Sequence, residues 1–402
     1  MVHEAQIIAL FTAAFVAALL LGWLAVSLRL PPLIGYLLAG IAIGPFTPGY
    51  QGNTDLAQEF SEVGVILLMF GVGLHFSVDE LWRHRRLALP GAVVQIAVAT
   101  AVGAWLASLW GLSTVSAIVF GLSLSVASTV VLLRALEQHQ LLSTAGGKVA
   151  VGWLVVEDLV MVLALVALPV LAAEGADGDW TGIATQLGLV GAKIVLFVAL
   201  MLVGGKRLLP WMLGRIQATG SRELFTLGVL AAALGVAYAA SHVFGISVAL
   251  GAFLAGVVLS ESRVSQEAGE KTLPLQDAFA VLFFVAVGML FDPAVLLSSP
   301  LQVLAVLAVV LGVKSLAAIA LVRLFGHGWR KALTIAASLA QIGEFSFILV
   351  GMGVSLGLLD DHARDLILAA ALFSISLNPL LFALLPGSPP PAAPGHRAAV
   401  TG

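Results

Sequence analysis

Four ionisable side chains stand where lipid-soluble stretches should hold none. Glu157 and Asp158 are adjacent in "VGWLVVEDLVMVLALVALPVLA" (151–172), Lys314 interrupts "VVLGVKSLAAIAL", and Glu344 lies in "SLAQIGEFSFILV". Ser123, Ser125, Ser128 and Thr129 form a polar cluster at a matching depth in "GLSLSVASTVVLL". A charge at the bilayer centre costs about 2.5–3.5 kcal/mol on insertion scales, so four amount to on the order of 10 kcal/mol. Such groups persist where they face water or one another. The chemistry they offer is exchange: a carboxylate binds a proton or a cation through the same oxygens, but not both at once. Ser and Thr hydroxyls add neutral oxygen ligands. Ser125 and Thr129, spaced i, i+4, share one face of a helix.

Adjacent helical residues point about 100° apart. Glu157 and Asp158 therefore aim at different places, one toward Lys314 and the other toward an ion path. The plainer alternative is a buried Lys314–Glu157 ion pair that only fixes packing, with the hydroxyls bonded back to their own helix. One lysine cannot neutralise Asp158 and Glu344 as well, which makes Asp158 the exchanging candidate.

The elements that position these groups follow from composition. The 402 residues are 60% hydrophobic and 10% charged, against about 25% charged in soluble domains. Spans need about 20 mostly apolar residues. Turn residues and charges divide the chain into thirteen, near 6–28, 31–46, 59–77, 87–109, 112–134, 147–171, 185–205, 222–241, 245–260, 275–291, 300–325, 331–354 and 363–386. They are too long and too uniformly apolar for a β-barrel. The first lacks a basic leader and a cleavage site and reads as a membrane helix. The fold class is an all-α polytopic membrane protein in the lipid bilayer.

With the N-terminus outside, 16 of the 19 Lys and Arg residues fall on the inner side, including Arg83, Arg85, Arg86, Lys206, Arg207 and Arg397. One, Arg364, is outside, and Lys193 and Lys314 lie within spans. That bias sets topology and puts the C-terminus in the cytoplasm. The fifth and twelfth spans mix Gly or Ser with polar residues at mid-depth ("SLSVAST", "AQIGEFS") and run in opposite directions. Paired interrupted helices in inverted halves point to a midplane binding site. Residues 387–402, rich in Pro, Ala and Gly, read as a disordered cytoplasmic tail or truncated linker.

The absence of cysteine excludes disulfides and thiolate chemistry. A net charge of −3 with no basic tract argues against nucleic acid. Eight scattered histidines share no metal-ligand spacing, and Gly40 and Gly44 read as a packing GxxxG. A channel would need a continuous polar pore or a filter loop, and none is visible. An intramembrane enzyme would have to use Asp158 with Glu344, the one candidate dyad.

Eight features recur in order: "LPPLIGYLLAGIAIGPF", "FSEVGVILLMFGVGLHFS", "SVASTVVLL", "VVEDLVMV", "GISVALGAFLAGVVLSES", "LFFVAVGMLFD", the mid-span Lys314 and "LAQIGEFSFIL". Together they resemble the membrane domain of Kef-type monovalent cation:proton antiporters, the antiporter-2 branch, over about residues 6–386. The resemblance implies an exchanger domain over 1–386 with a sodium/proton antiporter-like fold: thirteen helices in inverted repeats, a dimerising bundle and an ion-transporting core with two crossing broken helices. It implies exchange of K⁺, or alternatively Na⁺, for protons at Asp158, with Lys314 facing the acidic pair. Around Asp158 we place Glu157, Ser125, Ser128 and Thr129 as ion- and proton-binding groups, with Lys314 and Glu344 balancing charge. The implied setting is a homodimer in the plasma (inner) membrane, with no cofactor beyond the transported ions. Two departures stand out. Kef-type proteins usually carry Gln before the aspartate, where this chain has Glu157. They also carry a cytosolic nucleotide-binding regulatory domain, so regulation would come from a domain or subunit absent from this chain.

Overall fold

The computed structural model describes residues 2–75, 78–174 and 180–385. The tail at 387–402 and the acidic stretch 175–179 lie outside the described residues, as does the side chain of Arg83.

In lipid each backbone N–H and C=O must be satisfied within its own segment, which makes long apolar runs helical. The first half of the chain holds α1 (Val2–Ser27), α2 (Pro32–Ile43), α3 (Thr54–His75), α4 (Val78–Leu109), α5 (Thr114–Ser123), α6 (Thr129–Gln138) and α7 (Ala145–Glu174). A connecting helix α8 (Trp180–Leu200) passes through a π turn at Met201–Gly205 into α9 (Lys206–Gln217). The second half holds α10 (Arg222–Phe244), α11 (Val248–Ser260), α12 (Ser265–Met289), a short α13 (Val295–Ser298) and α14 (Pro300–Ala308). A second π turn, Val309–Val313, leads into α15 (Lys314–Leu324), followed by α16 (Trp329–Leu339), α17 (Glu344–Ser355) and α18 (Asp361–Ala383). Starts are set by side-chain caps: Ser221 Oγ accepts from Leu224 N at 3.2 Å and Ser247 Oγ from Leu250 N at 3.3 Å.

Each of the thirteen expected stretches contains helix within its described residues, and the described residues contain no strand. Among them, eight helices are long and apolar enough to cross a membrane alone. The pair α16 and α17, bent by 40° at its break, adds a ninth. The fifth and twelfth stretches are both broken, at 124–128 and 340–343. The structure departs from the expected boundaries where polar sequence continues a helix. The supposed inner loop after Gly205 is helical to Gln217, because "KRLLPWMLGRIQ" is amphipathic and buries Leu209 and Leu213. Helices α4 and α12 likewise begin some ten residues early. Hydropathy marks where lipid ends, whereas a solvated turn can still close its hydrogen bonds.

Contacts group the chain into two units. One comprises Met1–Val78, Leu159–Ala294 and Gly351–Asp365. Its helices meet at glycines. A methyl on Gly40 would lie 2.0 Å from Val285 O, and one on Gly288 would lie 2.1 Å from Leu37 O, so α2 and α12 touch backbone to backbone. The same contact recurs between α11 and α3: Gly256 against Phe70 O at 2.2 Å, and Gly73 against Phe253 O at 2.2 Å. A shift of 216 residues carries Leu37 to Phe253 and Gly40 to Gly256, and a shift of 215 carries Phe70 to Val285 and Gly73 to Gly288. The two halves thus build one contact twice. Gly40 is a packing residue, as its GxxxG context suggested.

The second unit comprises Asp79–Asp158, Val295–Val350 and Leu366–Gly402. It contains both breaks, and the 216-residue shift holds there too: Ser125 maps to Gln341, Ala127 to Gly343 and Ser128 to Glu344.

Candidate ion site at the crossing of two broken helices

The breaks cross in direct backbone contact. Gly343 N donates to Val126 O at 3.1 Å. A methyl on Gly343 would fall 2.3 Å from Ala127 O, so only glycine fits. At the crossing α6 and α17 begin, and a helix N-terminus carries partial positive charge. Ser128 caps α6, accepting from Val131 N at 3.3 Å. These two half-helix starts face the carboxylates.

Glu157 is fully buried, and its Oε2 accepts from Ala127 N at 2.9 Å inside the first break. Asp158 is 5% exposed, and Thr129 Oγ1 donates to its Oδ2 at 3.3 Å. Glu344 is 2% exposed and lies against Ser128 and Thr129 at the first turn of α6. Each carboxylate keeps one buried oxygen with no hydrogen-bond donor: Glu157 Oε1, Asp158 Oδ1 and Glu344 Oε2. Gln341 Oε1 and Ser346 Oγ are buried without partners as well. Leaving a buried acceptor unsatisfied costs about 1–3 kcal/mol. Among the described residues no three His, Asp or Glu side chains are arranged to hold a metal ion, so these oxygens are open acceptors rather than a formed metal site.

Lys314, fully buried at the end of the second π turn, donates from Nζ to Gln341 O at 2.7 Å in the second break. Among the described residues no direct ion pair joins Lys314 and Glu157, so the plainer alternative of a packing ion pair does not hold; the lysine caps a break carbonyl instead. Ser125 also differs from expectation. Its Oγ bonds back to Leu122 O at 2.7 Å, and the break between it and Thr129 cancels the shared helical face. Ser123 bonds back to Val119 O at 2.8 Å. Asp158, Glu157, Ser128, Thr129 and Glu344 are thus brought together, whereas Ser125 contributes its backbone.

Sequence reasoning passed over several groups that hold the site. Gln95, fully buried on α4, donates to Ser125 O at 2.8 Å and accepts from Trp153 Nε1 at 3.1 Å. Ser374 Oγ accepts from Ile342 N at 3.3 Å, and Asn378 Nδ2 donates to Ala337 O at 2.9 Å. The available signal was a lone amide or hydroxyl in an otherwise apolar span, as in "GAVVQIAVAT".

Crossed broken helices around buried carboxylates fit a membrane transporter, and the family and relatives below give its class as cation/proton antiporter rather than enzyme. The sodium/hydrogen exchanger transmembrane family matches residues 14–385, and the chain belongs to that family. It is 58% identical over 385 residues to the Escherichia coli (strain K12) protein named "Putative cation/proton antiporter YbaL", covering 95% of this chain and 69% of that one. A Methylorubrum extorquens protein, named only for its place in a phaC 3' region, is 57% identical over 275 residues, covering 66% of this chain and all of its own. The solved structure of the sodium proton antiporter MjNhaP1 from Methanocaldococcus jannaschii at pH 8 shares the fold. Its TM-score is 0.70 at 17% identity, over 96% of this chain and 100% of that one.

Proposed function

We propose that the protein exchanges a monovalent cation, K⁺ ahead of Na⁺, for protons by alternating access, as a Kef-type antiporter. Asp158 holds a proton or a cation in turn. Glu157, Ser128 and Thr129 surround it, while Lys314 and Glu344 set the charge balance. The observation that carries this reading is the set of three buried carboxylates, each with an undonated oxygen, at the start of two half-helices. The name of the Escherichia coli relative agrees with cation/proton antiport in general and does not distinguish K⁺ from Na⁺. The preference for K⁺ rests on the Kef-type motifs. The reading also includes thirteen crossings over an exchanger domain at 1–386, an outside N-terminus, a cytoplasmic tail at 387–402, and a homodimer in the inner membrane.

The test is cation-induced ΔpH in proteoliposomes, comparing K⁺, Na⁺ and Li⁺. Wild type should dissipate ΔpH on K⁺ addition, and Asp158→Asn should not. An Asp158→Asn variant that exchanges as fast as wild type removes Asp158 from the mechanism. A protein that responds to Na⁺ and not K⁺ reverses the ion preference.

A further inference from the structure

Each break has a carbonyl at the same repeat position, Ser125 O in the first and Gln341 O in the second. Each accepts from a side chain of the span just before its broken helix: Gln95 of α4 at 2.8 Å, and Lys314 of α15 at 2.7 Å. Lys314 carries the charge that the site needs, and Gln95 carries none. Gln95 is itself aimed by Trp153, whose Nε1 donates to Gln95 Oε1 at 3.1 Å. Trp153 sits one helical turn before Glu157 on α7. A closed loop of contacts results: Trp153 to Gln95, Gln95 to Ser125 O, the next peptide along to Ala127 N, and Ala127 N to Glu157 Oε2. Gln95 and Trp153 are both fully buried. No water competes for these bonds, and the orientation of the Ser125 peptide rests on the Gln95 amide.

We propose that Gln95 is a positioning residue for ion exchange, and that its hold on Ser125 O keeps Ala127 N on Glu157 and thereby sets the cation affinity of the site. The inference rests on the antiporter reading above. Without the Gln95 donor the Ser125 peptide turns, Ala127 N leaves the carboxylate, and the negative charge at Glu157 loses its backbone donor. Hydrogen bonds to a charged group are roughly twice as strong as neutral ones, so the effect passes mainly through the ionised acid.

The experiment uses the full chain in proteoliposomes with K⁺ and Na⁺ as probes. It measures half-saturating cation and maximal rate across a pH series for wild type, Gln95→Met, Glu157→Gln and the double variant. Gln95→Met is expected to move the half-saturating concentration about tenfold, equivalent to about 1.4 kcal/mol, and to displace the pH profile. In the Glu157→Gln background the same substitution should move it less than about twofold, since the charge it acts through is gone. An unchanged half-saturation and a superimposable pH profile, with only the maximal rate reduced, would assign Gln95 a packing role and overturn the proposal. Equal effects in both backgrounds would overturn the route through Glu157. If Gln95→Met accumulates poorly, Gln95→Asn, one methylene too short for Ser125 O, gives the same reading. A wild-type protein that exchanges no cation fails the antiporter reading itself, a separate outcome from any ratio among variants.

Discussion

Gly343→Ala is the sharpest test of the crossing. The added methyl would lie 2.3 Å from Ala127 O, 2.5 Å from Ala127 C and 2.7 Å from Ser128 N. All three atoms are backbone of the opposite break, so no side-chain rotation can make room. Ordinary contact begins at 3.4 Å, and the breaks must therefore part by the difference, 1.1 Å. That movement stretches the Gly343 N to Val126 O bond, now 3.1 Å, past the useful range of about 2.7–3.2 Å. Overpacking costs about 1–3 kcal/mol and the lost hydrogen bond about 0.5–1.5 kcal/mol net, together roughly 2–4 kcal/mol. A misplacement of about 1 Å at a reacting site is worth about a hundredfold in rate, so exchange should suffer more than stability. Gly351→Ala on α17 is the matched control. Nothing lies within 4 Å of its added methyl, and relief of unfolded-chain entropy should stabilise it by about 0.4–1 kcal/mol. Thermal unfolding in detergent and ΔpH exchange would be measured for both. Wild-type stability or wild-type exchange in Gly343→Ala would show that the two breaks do not touch as described.

Lys314→Ala should destabilise the protein by about 1.5–3 kcal/mol, because it removes a charged donor and leaves Gln341 O unsatisfied. Adding Glu157→Gln should restore part of that loss in a melting assay, and no recovery would separate Lys314 from Glu157. If one proton competes with one cation at Asp158, half-saturating cation should fall about tenfold per unit rise in pH below the carboxyl's pKa and level off above it. A pH-independent value in proteoliposomes would refute competition.

Much of this was readable from the chain because the bilayer punishes polar groups. Each ionisable residue that hydropathy singled out at mid-span, Glu157, Asp158, Lys314 and Glu344, is buried at the crossing. The two interrupted spans were legible for a related reason: Gly and Ser beside amides in apolar sequence mark backbone that cannot stay helical. Direction was harder. The spacing of Ser125 and Thr129 suggested one face, but a break between them decouples their side chains. The pairing of Lys314 with Glu157 looked compelling by charge alone, yet the ammonium bonds to a backbone carbonyl that only exists because the helix is broken. Gln95 went unnoticed because a neutral amide barely perturbs hydropathy. Its partner is a carbonyl thirty positions away, which no local pattern reveals.

The 216-residue correspondence explains how one scaffold produces an unsymmetrical site. The repeat supplies equivalent backbone twice: a broken helix, a capped carbonyl and a following helix whose side chain meets a break amide. The side chains at equivalent places then differ in a complementary way. Where α7 carries Glu157 and Asp158, the equivalent positions on α18 are Phe373 and Ser374. Where the second break leads into Glu344, the first leads into Ser128. The ammonium comes from the second half, and its neutral counterpart Gln95 from the first. Acids from both halves converge while only one cation opposes them, so the described cluster carries more carboxylate than ammonium charge. On the proposed exchange, a proton or a cation makes up that difference, one displacing the other. A second lysine in place of Gln95 would satisfy both break carbonyls equally well. It would also reduce the charge deficit that draws the cation in.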